Sequence, residues 1–580
     1  MRKVKLLDSM KNEGNFIINM DSVFRDLRAD FDVSSLNYAK NKIQELKKVN
    51  VDLIGDVSTI ATLSVASNGV ISGLRGTGKS HLLLLARDEI NSNKKSICVY
   101  INLKEHFNIG GTPILDERFY VWVILTQIKM QLNLLMSNVI ANQGKSIVKI
   151  ITDYFNIKSS KVEENLEKVF NEMDELISFG EKEMNELSID KYNESTQEYN
   201  SSYTLEGKAG LNLLQASAGI TDFEKEANIE HKKYQSQRVL NTNSLKCLLV
   251  RIVEILELES IVIFYDEWST RSKLEQEKLS KLIQALSTSP LYHWIAYIPY
   301  KSSLGVLELT SDMPHVKELD LKYIYEENND ICRGYFLMFA NKRLESVFKE
   351  ELFSIEDLVR RDSIDMLVKA CMGNTRDFGI LLYKAWTNYK NDILAQKNYH
   401  IINKKHIVKA IKSLSREKLG NLKLNENQYS EKLWNEIIKF VSEKKHTHFC
   451  IELNKENQNF INQNEFQNLL YQRLIHLRKN DIPPKDGGEY RLAMYAVDMS
   501  TLHSRIYDTK SESKKIKAVT DINVIHNQIR RYIFDLAGVI NEFRVEQGKQ
   551  IICRNCKRPI TTDMKLAWEL KRCTYCGQSF

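Results

Sequence analysis

Eight consecutive residues, Gly73 to Ser80, form the pattern in this chain that is most typical of a chemical function. They read GLRGTGKS, which fits the phosphate-binding pattern GxxxxGK[ST]. The apolar run at 70–72 predicts a buried strand, and the Leu-rich stretch at 81–90 predicts a helix. Backbone amides of a glycine-rich turn at a helix N-terminus form a concave site for phosphate oxygens. The pattern and its context therefore predict that the chain binds a nucleoside triphosphate.

A second pattern predicts the other half of such a site. The run that starts at Ile261 is β-branched and aromatic, and it ends in Asp266 and Glu267. This composition favours a strand that is buried on both faces of a parallel sheet. Ligands of such sheets lie beyond the carboxyl ends of the strands, so both acids are expected beside the phosphates. Asp266 is expected to hold the Mg²⁺ shell, and Glu267 to orient and deprotonate the attacking water.

The expected roles within the phosphate loop follow from the same pattern. Lys79 is expected to reach the β- and γ-phosphates, while Ser80 and Asp266 are expected to ligate Mg²⁺. The residues expected to bind ATP are Gly73, Arg75, Gly76, Thr77, Gly78, Lys79, Ser80, His81 and Asp266.

The two motifs resemble those of AAA+ ATPases, with Gly73 to Ser80 as Walker A and Asp266-Glu267 as Walker B. The resemblance implies an α/β P-loop NTPase core with a parallel sheet and a helical lid. It implies that 293–300 is the next strand, with Tyr300 as the nearest candidate for sensor 1, and that 318–323 is the last core strand.

The lid region contains a segment that is similar to the initiator branch of this family, the origin-recognition-complex-like ATPases. Residues 372–382 read MGNTRDFGILL, which resembles the "GN.R" sensor 2 segment. The resemblance implies that Arg376 meets the γ-phosphate and contributes to catalysis. Residues 266–269 read DEWS, which is similar to the same segment in bacterial ATPases of that branch. The resemblance covers about residues 50 to 390.

One departure from the family concerns the arginine that a neighbouring AAA+ subunit usually supplies for hydrolysis. No arginine lies between Arg271 and Arg333. Lys301 and Lys317 lie in that interval, but an ammonium group is not equivalent to a planar guanidinium. Either the arginine comes from another place or the chain is a slow, switch-like ATPase, and we slightly favour the switch.

A second departure is the long interval between the two motifs. Lys79 and Asp266 are 187 residues apart (266 − 79), which leaves about 100 residues beyond two βαβ crossovers. Apolar spacing predicts an amphipathic helix at 162–177, and a hairpin is expected within 209–234. Residues 161–200 contain 12 acids and 4 lysines. A solvated arm that packs on a partner protein or subunit is therefore favoured over a DNA contact.

The region after the lid has the element order of a winged helix. A helix is predicted at 431–443, a strand at 449–453, a helix at 465–479 with Asn464 as its N-cap, a turn at 482–488 and a strand at 490–497. On this interpretation Gln472, Arg473, Arg478 and Lys479 face a DNA groove. A small α+β domain that binds protein is an equally supported alternative.

The C-terminus predicts a metal site. Cys553, Cys556, Cys573 and Cys576 form CxxC–x16–CxxC, the spacing of a tetrahedral zinc ribbon. Gly577 suits the tight turn after the second pair. Four thiolates leave no open position on the zinc, so the expected site is structural. Zinc is also needed to hold together a segment that is too short to build a core.

Charge and composition bear on partners. Residues 501–580 contain 15 Lys/Arg and 8 Asp/Glu, a net charge of +7 (15 − 8) that equals the +7 of the whole chain. A basic tail around a zinc ribbon favours a nucleic-acid contact, although many ribbons bind only protein. No segment is apolar enough to span a bilayer, and a cytoplasmic protein without a membrane partner is expected.

These observations predict six regions and three functional alternatives. The regions are an N-terminal helical segment (1–50), the AAA+ core (51–325) with an arm inserted at about 150–235, the lid (326–420), a winged-helix-like domain (425–500), a basic helical segment (501–550) and the zinc ribbon (551–580). The favoured function is a nucleotide-controlled ATPase acting on DNA or on a DNA-acting partner, and bacterial relatives suggest a setting in defence against phage. The alternatives are a scaffold ATPase that recruits an effector protein and a regulator of transposition or replication. The expected partners are ATP, DNA through the basic C-terminal region, and either further copies of the chain in a homo-oligomer or an effector protein.

Overall fold

The computed structural model of the chain describes most of its residues. These are 14–26, 40–106, 116–137, 147–198, 241–299, 301–348, 354–395, 401–424, 428–485, 487–508, 515–519, 521, 527–548, 550–562 and 564–579. Within these ranges, no helix combines the length and the apolar character needed to cross a membrane.

A five-stranded parallel sheet lies at the centre of the N-terminal half. Its strands are β1 (Gly69–Ser72), β2 (Ser96–Asn102), β3 (Ser260–Asp266), β4 (Leu291–Tyr297) and β5 (His315–Glu318). Their order across the sheet is β2-β3-β4-β1-β5, and every neighbouring pair is parallel. β2 and β3 are buried along their whole length, as their β-branched and aromatic composition predicts. The carboxyl ends of β1 and β3 consequently lie at the same edge of the sheet.

Helices make up most of the remaining described structure. In chain order they are α1 (Gly14–Asp26), α2 (Lys40–Val49), α3 (Asp56–Ser64), α4 (Lys79–Ser92), α5 (Leu103–His106), α6 (Glu117–Ser137), α7 (Ile147–Phe155), α8 (Ser160–Glu198), α9 (Thr242–Ile255), α10 (Lys273–Leu286), α11 (Asn329–Val347), α12 (Ile355–Leu358), α13 (Arg361–Ala370), α14 (Thr375–Leu394), α15 (Lys404–Leu424), α16 (Gln428–Lys444), α17 (Lys455–Ile461), α18 (Asn464–Tyr471), α19 (Met499–His503), α20 (Leu536–Glu546) and α21 (Lys565–Leu570). A 3₁₀ turn spans Trp268–Thr270, and a π-helical turn spans Ser504–Asp508.

The sheet is covered on both faces, which makes the core a three-layer α/β structure. Helices α2, α3 and α4 pack against one face around Leu83, Tyr100 and Phe264. Helices α6, α9 and α10 pack against the other face around Val99 and Ile263.

The long interval between β2 and β3 contributes to this core. The amphipathic helix predicted at 162–177 lies within α8, and its apolar side chains are buried with α6 and α9. The indole Nε1 of Trp122 donates to the carbonyl of Ile177 at 3.1 Å. The expectation of a solvated arm that packs on a partner is therefore wrong for residues 160–182, whose apolar side chains pack within the core. The expected hairpin at 209–234 lies outside the described residues.

A helical lid follows β5. Helices α11, α13, α14 and α15 share one apolar cluster, and α1 from the N-terminal segment packs into the same cluster. The indole of Trp386 in α14 donates to Asp21 of α1 at 2.7 Å, and Lys390 pairs with the same carboxylate at 2.7 Å. The N-terminal segment is thereby attached to the lid.

The next domain has a winged-helix topology, with one helix (α17) and one strand (Ile475–Ile482) more than the sequence predicted. Its elements follow the order α16, β6 (His448–Glu452), α17, α18, β7 (Ile475–Ile482) and β8 (Leu492–Val497). The three strands form an antiparallel sheet in the order β6-β8-β7. The single helix predicted at 465–479 is wrong in its second half, because α18 ends at Tyr471 and β7 begins at Ile475. Arg473 has a left-handed backbone (φ 57°) between them, and the N-cap is Gln463 rather than Asn464.

The segment predicted as a separate basic stretch, 501–550, shares its core with the winged-helix domain. Phe534, Leu536, Ile540 and Phe543 are buried in the same cluster as β6 and α18. The amide of Phe534 donates to the carbonyl of Cys450 in β6 at 2.8 Å. The sequence prediction of this segment relied on its charged residues. Its position is instead determined by a few apolar residues, which the charge pattern does not reveal. A short hairpin of β9 (Gln550–Ile552) and β10 (Pro559–Thr561), followed by α21, forms the C-terminal module.

Candidate nucleotide site and zinc ribbon

The glycine-rich loop joins β1 to α4. Gly76 (φ 85°) and Gly78 (φ 92°) have left-handed backbones, which glycine adopts without the strain that a side chain would add. Gly78 occupies the N-cap position of α4, and the helix begins at Lys79. The first amides of α4 have no partners within the helix, so this end of the loop is suited to bind an anion.

The side chain of Lys79 is folded onto the loop. Its Nζ donates to the carbonyls of Gly73 at 2.7 Å and Leu74 at 3.0 Å. Dehydration lowers the pKa of Lys79, and the carboxylates of three acids oppose that shift, which are Asp320, Asp266 and Glu267. The two acids of the second motif are therefore close enough to this ammonium group to act on its pKa.

Asp320 is a component of the site that the sequence did not reveal. Both of its carboxylate oxygens accept from the amide of Leu74 at 3.0 Å. Burial raises the pKa of Asp320, while the Leu74 amide and Lys79 lower it and only partly offset the burial. It follows β5 without any motif around it, and only the parallel sheet brings β5 beside β1.

Asp266 is held at both carboxylate oxygens. The phenol of Tyr100 in β2 donates to its Oδ2 at 2.6 Å, and the backbone amide of Glu267 donates to its Oδ1 at 2.8 Å. Asp266 is 2% exposed and Tyr100 is 1% exposed. Burial and the nearby carboxylate raise the pKa of Tyr100 well above its ordinary value, so the phenol remains a donor.

Glu267 has an unusual backbone for its residue type. Its φ of 57° lies in the left-handed region, where a non-glycine residue costs about 1–3 kcal/mol and is often found at a functional site. Its carbonyl accepts from the amide and the hydroxyl of Thr270, which stabilises this turn. Burial and the Asp266 charge raise the pKa of Glu267, and Arg75, Lys79 and Lys104 oppose that rise.

The donors at this edge of the sheet fit Mg²⁺. The Ser80 hydroxyl is at the start of α4, and the Asp266 carboxylate is at the end of β3. Hydroxyl and carboxylate oxygens are the hard ligands that Mg²⁺ prefers beside phosphates. The raised pKa of Glu267 reflects in part the charge of Asp266 beside it, which a cation would relieve.

The lid contacts the glycine-rich loop directly. Asn374 donates from Nδ2 to the carbonyl of Arg75 at 3.1 Å, and the Thr375 hydroxyl donates to the carbonyl of Gly76. A Cβ atom on Gly76 would lie only 2.2 Å from the Cβ of Arg376. Gly76 is thus required both for its backbone angle and for this close approach, and the lid arginine is placed over the loop.

The strand order, the glycine-rich loop after β1, the acids after β3 and the lid over the loop together define the fold of the core. The core has the AAA+ fold. The predicted fold class is confirmed, including the helical lid and the winged-helix-like domain that follows it.

A cavity lies between the AAA+ core and its lid, beside the loop. It is lined in part by residues 49–52, His81, Tyr323, Arg343 and Gly373. Burial, together with Arg343, lowers the pKa of His81 to about 4, so its ring is neutral at physiological pH. Its Nε2 is buried without a hydrogen-bond partner among the described residues. A neutral ring with an open nitrogen fits the nucleoside part of a bound nucleotide.

Two further expectations concern the AAA+ sensors and the arginine of a neighbouring subunit. Tyr300, the candidate for sensor 1, lies outside the described residues. Arg271 is only 9% exposed and lies 3.9 Å from Glu275 in the first turn of α10. Its guanidinium is therefore not presented on the surface of this core.

The basic residues expected to face a DNA groove contact the lid region instead. Arg473 pairs with Asp377, and the guanidinium of Arg478 donates to the carbonyl of Met372 at 3.3 Å. Lys479 lies 3.5 Å from Glu327. The prediction that these side chains face a DNA groove is wrong for Arg473 and Arg478, because they pair with the buried acids Asp377 and Glu326 beside the lid. Gln472 is half-buried at the end of α18.

The last residue of α18 also reaches the loop. The ring of Tyr471 lies 5.6 Å from the guanidinium carbon of Arg75 and 4.5 Å from the ammonium of Lys301. The winged-helix domain is therefore in contact with the phosphate loop as well as with the lid.

The four C-terminal cysteines converge as predicted. Their sulfur atoms all lie within 4.8 Å of one another, with Cys553 Sγ 3.6 Å from Cys576 Sγ and Cys556 Sγ 3.5 Å from Cys573 Sγ. Four thiolates on one zinc at about 2.3 Å place the sulfurs roughly 3.8 Å apart, so the cluster fits a zinc ion.

The two cysteine turns are equivalent in their backbones. The amide of Lys557 donates to the carbonyl of Cys553 at 3.0 Å, and that of Gly577 donates to Cys573 at 2.8 Å. Lys557 (φ 59°) and Gly577 (φ 72°) have the same left-handed conformation after each pair. Two matched knuckles that face each other are the arrangement expected of a ribbon with four thiolate ligands.

The fold has distant likenesses among solved structures. The chain is similar to RuvB of Thermotoga maritima, a Holliday junction branch migration motor, with 11% identity and a TM-score of 0.28 over 69% of this chain and 76% of that chain. It is similar to the Orc1 protein of Aeropyrum pernix, solved in complex with DNA, with 12% identity and a TM-score of 0.28 over 79% and 93% of the two chains. Cdc6p of Pyrobaculum aerophilum matches with 11% identity and a TM-score of 0.28 over 80% and 92%. No family model and no curated protein matches the sequence.

Proposed function

We propose that this protein is a Mg²⁺-dependent ATPase that works as a nucleotide-controlled switch on DNA or on a DNA-acting partner. The observation that carries the proposal is the set of charges around the glycine-rich loop. The carboxylates of Asp266, Glu267 and Asp320 act electrostatically on the ammonium of Lys79 and oppose the lowering of its pKa by burial. A bound triphosphate would give Lys79 a new partner and separate it from the loop carbonyls of Gly73 and Leu74.

Each residue of the site has a proposed part in hydrolysis. Lys79 binds the β- and γ-phosphate oxygens, and Arg376 meets the γ-phosphate from the lid. Glu267 orients the attacking water and accepts its proton, a task that its raised pKa favours. Ser80 and Asp266 would hold Mg²⁺, which neutralises charge on the phosphate oxygens when it is bound.

The contacts between the domains support a switch. Asn374 and Thr375 donate hydrogen bonds to carbonyls of the loop proposed to bind the triphosphate. The ring of Tyr471 lies against Arg75 of the same loop. Arg271 is buried, so we propose that hydrolysis is slow and that the nucleotide state is read through the lid and the winged-helix domain.

The proposed DNA contact is the zinc ribbon. Among its described residues, six cations are exposed and one acid, Glu569, is exposed. The cations are Arg554, Lys557, Arg558, Lys565, Lys571 and Arg572. Zinc with four thiolates subtracts two charges, so the module stays cationic and suits a phosphate backbone.

The test is an ATP-binding and hydrolysis assay with and without duplex DNA. Lys79→Ala is expected to abolish nucleotide binding, whereas Glu267→Gln is expected to retain binding and lose hydrolysis. Lys95 and Glu259 provide matched controls, because they form an exposed pair at 3.4 Å at the other end of the sheet. Lys95→Ala and Glu259→Gln should behave like the parent. Hydrolysis by Glu267→Gln at the parental rate would show that another residue is the base.

A further inference from the structure

The phenol of Tyr100 donates a hydrogen bond to Asp266, the first acid of the second motif, at the end of the sheet. Its phenol lies 2.6 Å from Oδ2 of Asp266, although 166 positions separate the two residues in sequence. β2 and β3 are neighbours in parallel register, in which Asn102 is opposite Asp266. Tyr100 is therefore two residues before that position on the adjacent strand, and its side chain extends along the sheet to the carboxylate.

The hydrogen bond has the features of a strong one. A phenol that donates to a carboxylate forms a charge-assisted bond, for which about 2.5–2.7 Å is the usual range. Both side chains are almost fully buried, so water does not compete for either group. Because the amide of Glu267 holds the other oxygen at 2.8 Å, the carboxylate is fixed in its plane as well as in its direction.

We propose that Tyr100 is a positioning residue for the Mg²⁺ site, holding the Asp266 carboxylate in the orientation in which it receives the hydrated metal. This inference rests on the proposed function. Residues that orient a metal-binding group typically change metal affinity by about 10- to 100-fold when they are removed. The expected effect is on Mg²⁺ and not on the nucleotide itself, because the phenol faces the carboxylate and not the glycine-rich loop.

Other contacts of Tyr100 survive the loss of its hydroxyl. Its backbone amide donates to Oε1 of Gln131 at 2.9 Å, and its carbonyl accepts from the same side chain. The guanidinium carbon of Arg87 lies 5.9 Å from the ring centre. Phenylalanine keeps the ring and the backbone, so Tyr100→Phe removes the bond to Asp266 while the strand remains anchored.

Tyr265 offers a matched control in the next strand. Its hydroxyl is also buried and lies 3.3 Å from Nδ1 of His293, on the opposite face of the sheet from Asp266. Tyr265→Phe therefore removes a buried hydroxyl of the same sheet without touching the acids.

The experiment is a MgCl₂ titration of the full-length protein with a non-hydrolysable, fluorescent ATP analogue. For Tyr100→Phe, the Mg²⁺ concentration for half-maximal binding should rise about tenfold, and affinity for the analogue in EDTA should stay within about twofold. Tyr265→Phe should match the parent in both measurements. An unchanged Mg²⁺ midpoint for Tyr100→Phe would overturn the assignment, and so would an equal loss with and without Mg²⁺.

A double-mutant cycle separates positioning from general damage. In an Asp266→Asn background, adding Tyr100→Phe should produce little further change in the Mg²⁺ midpoint, because the carboxylate to be held is already gone. A second tenfold rise would contradict the inference. If the parent itself binds no nucleotide, the proposed function fails together with this inference. If the parent binds with Mg²⁺ and Tyr100→Phe does the same, only the role of Tyr100 is lost.

Discussion

Arg473 of the winged-helix domain forms an ion pair with Asp377, the residue that follows the lid arginine Arg376. The Nε of Arg473 lies 3.2 Å from both carboxylate oxygens, and its Nη2 lies 3.0 Å from Oδ1. Lys418 lies 2.7 Å from the same carboxylate and 2.7 Å from that of Asp498. Burial alone would raise the pKa of Asp377, but Arg473 and Lys418 outweigh it and hold the pKa below its ordinary value. The lid and the winged-helix domain therefore meet through buried charges directly behind Arg376.

Replacing Arg473 should weaken this junction. In Arg473→Ala, Lys418 is the cation that still pairs with the buried carboxylate of Asp377. Loss of one partner from a buried ion pair lowers the free energy of unfolding by about 3–5 kcal/mol. We expect destabilisation near the lower end of that range, measured by urea denaturation, because Lys418 remains. Limited proteolysis should also become faster between the lid and the winged-helix domain.

Lys479→Ala is the matched control for Arg473. Its pair with Glu327 at 3.5 Å joins the same two regions but is partly exposed, so its loss should cost about 1 kcal/mol or less. Equal effects of the two substitutions would mean that the buried cluster does not hold the domains together.

Local patterns in the sequence were sufficient for the parts of the site that are contiguous in the chain. The glycine-rich loop and the two acids after β3 were predicted from their sequence patterns and from the strand that precedes each of them. The four cysteines were predicted from their spacing alone. Tyr100 and Asp320 could not be found in this way. Each is a single residue without a motif, and its partner is 166 or 246 positions distant. Only the order of parallel strands brings these residues together.

The errors in the winged-helix region have a similar cause. Leu474 and Leu477 fit the spacing of a helix that continues from α18, but in the structure Leu474 lies in the turn before β7 and Leu477 lies within the strand. Arg473 and Arg478 are basic residues within the helix predicted at 465–479, so the winged-helix interpretation placed them at a DNA groove. Arg473 pairs with Asp377 and Arg478 with Glu326, two acids that lie far away in sequence. Sequence spacing does not reveal a tertiary ion pair.

Arg376→Ala tests the lid. The guanidinium is proposed to meet only the γ-phosphate, so affinity for ADP should stay nearly unchanged while the preference for ATP over ADP falls about tenfold or more. Isothermal titration with each nucleotide measures this difference. Arg360→Ala is a suitable control, since Arg360 is an exposed arginine of the lid that pairs with Asp362. Equal losses of affinity for ADP and ATP would make Arg376 a structural residue of the lid.

The buried side chain of His293 should make the free energy of unfolding depend on pH. Burial lowers the pKa of this histidine to about 3, whereas its value in an unfolded chain is about 6.5. Below pH 6.5 the unfolded chain therefore takes up a proton that the folded chain refuses, and the fold loses stability as pH falls. The loss from this residue is about 2 kcal/mol at pH 5, and none is expected above pH 7.5.

His293→Gln should reduce that dependence. The difference in unfolding free energy between pH 7.5 and pH 5 is expected to be smaller in the variant than in the parent. His315→Gln, on the neighbouring strand β5 where the side chain is partly exposed, is the control and should leave the difference unchanged. An identical pH dependence in His293→Gln and the parent would count against a neutral, buried His293.

The zinc ribbon has its own test. The purified protein should contain one zinc per chain, and Cys553→Ser or Cys576→Ser should reduce that content, because each removes one of four thiolates. Elemental analysis and limited proteolysis of the last 30 residues measure the effect. Cys247→Ser is the control, since Cys247 is an exposed cysteine away from the cluster. Nucleotide binding should be unaffected in all three variants. If the purified protein contained no zinc, the assignment of a zinc site to the four cysteines would be wrong.

The cations of the ribbon determine whether it binds DNA. Replacing Lys571 and Arg572 with Gln removes two exposed charges next to the second cysteine pair, without touching a ligand. If both contact phosphates, the slope of log K against log salt for duplex DNA should become shallower by about 1.8, because each lost contact releases roughly 0.9 fewer counterions. Fluorescence anisotropy at several salt concentrations measures the slope. Lys278 and Lys281, exposed on α10, provide a control pair of the same charge, and their replacement should leave the slope unchanged. An unchanged slope in the Lys571 and Arg572 variant would assign this face of the ribbon to a protein partner.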